Sequence, residues 1–195
     1  MDVIFNPAPP ALSSRTAMPQ QGHTLTELIA TIAIAMLLMG IVVPSFAELI
    51  QNSRLTTAVN TLVSTLHYTR SEAIKRNQAA IICKGTPEDG CNTSQAWHDG
   101  WLVYVDDNGN RSWDEGESLL RVQAALESRQ TLAWNAFPSS NYVIYYPNGR
   151  ASSNGTFIFC DQRGATAAKA LIIAKSGRVR LASKAANNTA LECAP

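Results

Sequence analysis

Much of what marks an enzyme or a metalloprotein is missing from this chain. Its 195 residues include only three histidines, His23, His67 and His98, and no two of its four cysteines form a CxxC. The closely spaced Cys and His ligands of a zinc site are therefore lacking. No GxSxG, HExxH, GxxxxGKS/T or Rossmann glycine pattern occurs, which removes the common signatures of hydrolases, zinc peptidases and nucleotide-binding enzymes. His98 beside Asp99 is at most half of a catalytic triad, and polar pairs of this kind are ordinary in loops. The expectation is a non-enzyme without a cofactor. Charge is also scarce: 16% of residues are charged and the net charge is +1. Any electrostatic function must then come from uneven distribution along the chain.

The distribution of charge is where the sequence becomes informative. Between Glu27 and Glu48 lie 20 residues with none. As a helix, such a run spans about 30 Å, the thickness of a bilayer's hydrocarbon core. A secretory signal peptide has a shorter apolar stretch, about 7–15 residues, followed by a small-residue cleavage site. Here Gly22 precedes the run instead, after a Pro/Ser-rich, weakly charged segment containing Pro7, Pro9, Pro10 and Pro19. Pro44 lies within the run and is expected to kink or loosen the helix.

Beyond the apolar run, Leu55, Val59, Leu62 and Leu66 recur at helical spacing, a stripe suited to packing on a sheet. One helix is expected from about residue 24 to 77. Seven short strands should follow, at 79–83, 101–105, 118–122, 141–146, 156–160, 170–174 and 178–182, separated by Asn-Gly and Ser-Gly turns. The pattern predicts an α+β fold, a long helix packed on antiparallel sheets.

The polar leader ending in Gly22, then Thr24, Leu25 and Glu27 before an apolar helix, resembles the type IV prepilin signature. The resemblance implies a leader at 1–22, a transmembrane and assembly helix at 23–50 and an exported head at 51–195. It also implies cleavage between Gly22 and His23 by a prepilin peptidase, although the family usually has Phe at the position of His23. Glu27 would guide assembly by meeting an N-terminal amine, since a carboxylate and an ammonium in an apolar bundle are tolerable only as a pair. The inner membrane and other pilins are the implied partners, with the head in the periplasm and, after assembly, on a surface filament. In an oxidising periplasm the four cysteines should form two disulfides. Of three connectivities, the favoured one staples the short loop with Cys83–Cys91 and pins the C-terminal tail with Cys160–Cys193.

Two charged segments stand out. Residues 88–117 hold eight acids against Arg111 alone, and Asp106, Asn108, Asn110, Ser112, Asp114 and Glu117 fall at the 1, 3, 5, 7, 9, 12 spacing of a calcium loop. Arg111 occupies the position where that loop requires glycine and the flanks read as strands, so a solvated acidic hairpin is the default. Between Asp161 and Glu192 there are six bases and no acid: Arg163, Lys169, Lys175, Arg178, Arg180 and Lys184. Strand alternation puts Arg178 and Arg180 on one face, where guanidinium forks suit phosphates.

The segments SEAIKRNQ, GWLVYVD, PNGRAS, FIFCDQRG and KSGRVRL are similar to the GspH/FimT class of minor pilins and pseudopilins. Members of that class active in natural transformation bind DNA through a C-terminal Gly-Arg-x-Arg motif, present here as Gly177-Arg178-Val179-Arg180. The resemblance implies non-specific capture of double-stranded DNA, with Lys175, Arg178 and Arg180 on the phosphate backbone and Arg163, Lys184 and Arg150 widening the patch. The rivals are a minor pilin that only primes or tips a filament, and a type II secretion pseudopilin.

Overall fold

The computed structural model describes residues 22 and 24–193. The segment 1–21 and the cleavage partner His23 lie outside the described residues. The chain divides between Ser45 and Phe46 into two compact units.

Helix α1 runs Leu25–Arg76. Its first turn is capped by Thr24, whose hydroxyl accepts from the Glu27 N–H at 3.3 Å. Glu27 thus stands at the third helical position, where a carboxylate also favours the helix dipole. The helix is continuous through Pro44. At the other end Asn77 adopts φ 55°. The N–H of Asn77 donates to Ile74 O and that of Gln78 to Ala73 O, each at 3.3 Å. These are the paired bonds of a Schellman stop, with asparagine in the left-handed position.

In the second unit, Leu55, Val59, Leu62 and Leu66 of α1 are at most 2% exposed. They join one core with residues from two antiparallel sheets. In the first sheet, β1 (Ala79–Thr86) lies between β3 (Gly100–Asp106) and β6 (Tyr142–Tyr145). Strand β4 (Leu119–Ala124) pairs with β3, and the two-residue β2 (Gly90–Cys91) pairs with the end of β1. The second sheet has the order β5-β7-β8-β9, from Thr131–Ala136, Gly155–Cys160, Lys169–Ile173 and Val179–Ala182. Trp134 stacks on Phe157 at 4.2 Å between ring centroids, and Trp97 meets the same ring edge-on at 5.0 Å.

Among the described residues nine strands form, where the sequence predicts seven. The addition that matters is β5, TLAWNA, whose Leu132 and Trp134 enter the core while Thr131 and Asn135 do not. Alanine and asparagine are poor strand formers, so its alternation is masked in composition.

Each sheet also carries a small apolar cluster on its other face. Ile81, Cys83, Leu102, Tyr104 and Ile144 form one, with Cys91 and Trp113 packed over them. Ile158, Cys160, Ala170 and Leu191 form the second, with Cys193 against them. The disulfides Cys83–Cys91 and Cys160–Cys193 have the expected pairing, and each fastens the chain that covers one cluster.

Candidate nucleic-acid interface

The Gly-Arg-x-Arg segment sits at the hairpin joining β8 to β9. Gly177 N–H donates to Ala174 O at 2.8 Å and Ala174 N–H to Arg178 O at 3.0 Å, closing a four-residue turn. Gly177 has φ 79°, a left-handed conformation that side chains resist. Space also demands glycine: a Cβ there would lie 2.1 Å from the carbonyl oxygen of Gly149. The glycine of the motif is therefore structural, letting two turns touch backbone to backbone.

Val179 packs partly against the core, and Arg178 and Arg180 on either side of it are exposed. Lys175, on the turn, is exposed as well. Its carbonyl accepts from Ala151 N–H at 3.0 Å, which brings exposed Arg150 to the same end of the molecule. None of these four cations makes an ion pair among the described residues.

Two other bases expected in the patch lie elsewhere. Strand register sets Phe159 opposite Lys169 and Ala170 opposite Ala182, so Arg163 and Lys184 stand at the end of the second sheet away from the Lys175 turn. Arg163 is also occupied. Its guanidinium grips Asp161 with contacts of 2.6–3.2 Å and donates to Asn52 Oδ1 at 2.8 Å. The hydrogen bond from Arg163, assisted by its charge, holds the Asp161 carboxyl below the usual carboxylate range, and Asp161 in turn raises Arg163. Sequence proximity suggested a contiguous basic face; local pairing and strand direction divide it.

The acidic loop 106–117 is built from its own hydrogen bonds. Side-chain oxygens of Asp106, Asn108 and Asn110 accept from the N–H groups of Gly109, Asn110 and Ser112. The amides of Asn108 and Asn110 both donate to Asp114 Oδ2, at 2.8 and 2.6 Å. Arg111 does adopt the left-handed φ of 65° that the glycine position of a calcium loop requires. No group of three His, Cys, Asp or Glu side chains converges as a metal set among the described residues. Burial pushes the Tyr104 hydroxyl up, and Asp106, Glu117 and Asp114 add to the effect. His98 and Asp99 serve the backbone separately: His98 Nδ1 accepts from Leu132 N–H at 3.4 Å, and Asp99 Oδ2 from Ala96 N–H at 2.9 Å.

A long N-terminal helix with an apolar first half, and a second half packed on antiparallel sheets, defines a type IV pilin-like protein. Residues 58–177, more than half of the chain, match the family model described as Type II transport protein GspH, and the chain belongs to that family. The match ends at Gly177, so Arg178 and Arg180 lie outside it. Among solved structures, the type IV minor pilin FimU of Pseudomonas aeruginosa is similar with TM-score 0.54 and 23% identity, over 71% of this chain and 96% of that one. The minor pseudopilin EpsH from the Type 2 Secretion System of Vibrio cholerae is similar with TM-score 0.50 and 10% identity, over 66% of this chain and 96% of that one. At these identities the likeness concerns the fold. The pilin-like protein PilA1 of Thermus thermophilus is 32% identical over 102 residues, which are 52% of this chain and 58% of that relative's length. The chain is thus a GspH-family member with a type IV pilin-like fold.

Proposed function

We propose that this GspH-family chain is a FimT-like minor pilin that captures double-stranded DNA, without base preference, for uptake in natural transformation. The observation that carries the reading is the group of exposed cations Lys175, Arg178, Arg180 and Arg150 at one end of the second unit, unpaired with any acid among the described residues. Arg163 and Arg76, by contrast, each pair with a carboxylate. Contacts to phosphate position a protein on the duplex but do not read its sequence. Glu27 would meet an N-terminal amine during assembly, after a prepilin peptidase cuts between Gly22 and His23 at the inner membrane. No catalytic step is assigned to any residue.

Duplex binding by the full chain in detergent micelles is the direct test. Dissociation constants should be on the order of micromolar to 100 micromolar and weaken with salt as counterions are released. Arg178→Gln with Arg180→Gln should nearly abolish binding and flatten the salt slope by about two, with unchanged thermal unfolding. Equal binding by a folded double variant would leave the arginines as a solubilising face.

A type II secretion pseudopilin is the second reading, favoured by the description of the matching family and by the fold shared with EpsH. It predicts that the double variant changes secretion and leaves transformation untouched.

A further inference from the structure

The chain places an arginine directly after a left-handed glycine twice at this end of the molecule. In the segment 146–150, Gly149 N–H donates to Tyr146 O at 2.8 Å and Tyr146 N–H to Arg150 O at 2.9 Å. These are the two bonds that close the 174–178 turn, between the same relative positions. Gly149 has φ 73° and Gly177 φ 79°. Arg150 and Arg178 therefore occupy one and the same position of two copies of one turn, and both are exposed. The first copy follows Pro147 and Asn148, the second Lys175 and Ser176, so the likeness is conformational and does not show as a sequence repeat.

One side chain joins the two copies. Arg70, on α1, donates its Nε–H to Gly149 O at 2.9 Å and an Nη2–H to Ser176 O at 3.4 Å. Both acceptors are turn carbonyls with no partner within their own turn bonds. A planar guanidinium offers several N–H groups in a fixed fork and can hold two carbonyls at once, whereas an ammonium is a single point donor. Burial raises the Tyr145 hydroxyl, and the charge of Arg70 partly opposes that rise.

We infer that Arg70 is a positioning residue, clamping two equivalent Gly-Arg turns into one phosphate-binding ridge in which Arg150 and Arg178 are the paired contacts. The assignment of phosphodiester as ligand rests on the DNA-binding reading above; the clamp itself does not. A ridge presenting the same turn twice would engage the backbone at two phosphates, and its affinity would depend on the turns being held together before DNA arrives.

The test uses the full chain in detergent micelles, with Arg70→Gln, Arg70→Lys, Arg150→Gln and Arg178→Gln. Amide hydrogen exchange without DNA is read at segments 146–151 and 174–178. Arg70→Gln and Arg70→Lys should both speed exchange in the two segments together, since neither replacement spans both carbonyls. The control Arg54→Gln, a change on the same helix that removes an ion pair with Glu127, should leave them unchanged. On a random-sequence duplex, Arg70→Gln should weaken binding about tenfold while keeping the wild-type salt slope, because no phosphate contact is lost. Arg150→Gln and Arg178→Gln should each flatten that slope by about one. Loosening of one turn alone, or full protection in both Arg70 variants, overturns the clamp. A slope reduced in Arg70→Gln with protected turns makes Arg70 a direct contact and overturns its positioning role. A slope changed by Arg178→Gln but not Arg150→Gln overturns the pairing. Absence of duplex binding by the wild type removes the DNA reading, and the exchange data still decide the clamp.

Discussion

Arg163 and Arg178 are the same residue type within one basic segment, and their surroundings give them different work. Arg163 lies two residues from Asp161, and its fork closes on that carboxylate, whose side chain is only 8% exposed. Because the Asp161 pKa is depressed below its ordinary 3.8, the pair contributes stability that is present above that value and lost as pH falls through the lower folded one. Glu72, depressed chiefly by its hydrogen bond from Arg76, acts in the same direction. Arg163→Gln should then cost about 1–3 kcal/mol at pH 7, and the gap to wild type should narrow as pH falls below the ordinary Asp value, read by urea denaturation across pH. A gap independent of pH would mean that the Asp161 pair contributes nothing specific. The same variant should bind duplex DNA like wild type, because the guanidinium is already spent.

At the scale of elements, the two disulfides differ in what they hold. Cys83–Cys91 closes a separation of 8 residues and Cys160–Cys193 one of 33, so the second removes more unfolded-state entropy. Replacing Cys160 and Cys193 together by Ala should cost about 3–4 kcal/mol and release the tail that lines a 660 Å³ open groove with Asn135, Thr156 and Lys175. Limited proteolysis should then cut first within 185–192; unchanged resistance there would show that Leu191 packing alone secures the tail. The helical stripe, all seven expected strand runs and the hairpin glycines were legible because each is a local period or a local turn signal. Strand β5 was not, since Ala and Asn conceal the alternation of Leu132 and Trp134. Nor were the pairing of Arg163 with Asn52, the twin turns or the role of Arg70. The contacts of Arg70 and Arg163 join residues 79 to 111 positions apart, and the likeness of the 146–150 and 174–178 turns is conformational, so no local pattern encodes either. The Gly-Arg-x-Arg motif was visible as text, but its glycine proves to be a packing residue and its neighbours in space come from α1 and the 146–150 turn.

The whole molecule comprises a core-forming unit that begins at Phe46 and an N-terminal unit whose described helical residues bury nothing of their own. Leu37, Ile41 and Leu25 are 73–75% exposed, and the first half of the helix is long and apolar enough to cross a membrane while none of it is buried within the chain. Exposure of this extent requires a lipid or protein environment to cover it. The run from 28 to 47 contains ten Leu, Ile, Val or Phe residues, contributing about −0.3 to −0.6 kcal/mol each at a helix centre, or roughly −3 to −6 kcal/mol together. One arginine near the middle costs about 2.5–3.5 kcal/mol, which that total can absorb. Two arginines cost about 5–7 kcal/mol and also remove two favourable residues, which it cannot. Leu37→Arg alone should therefore stay in the membrane pellet after alkaline extraction, whereas Ile34→Arg with Leu38→Arg should move to the soluble fraction. The head should fold in both, with intact disulfides and unchanged near-ultraviolet dichroism, because none of the altered positions belongs to its core. Retention of the double variant in the membrane would mean that contacts beyond the apolar run anchor the chain, and a misfolded head would show that the two units are not independent in folding.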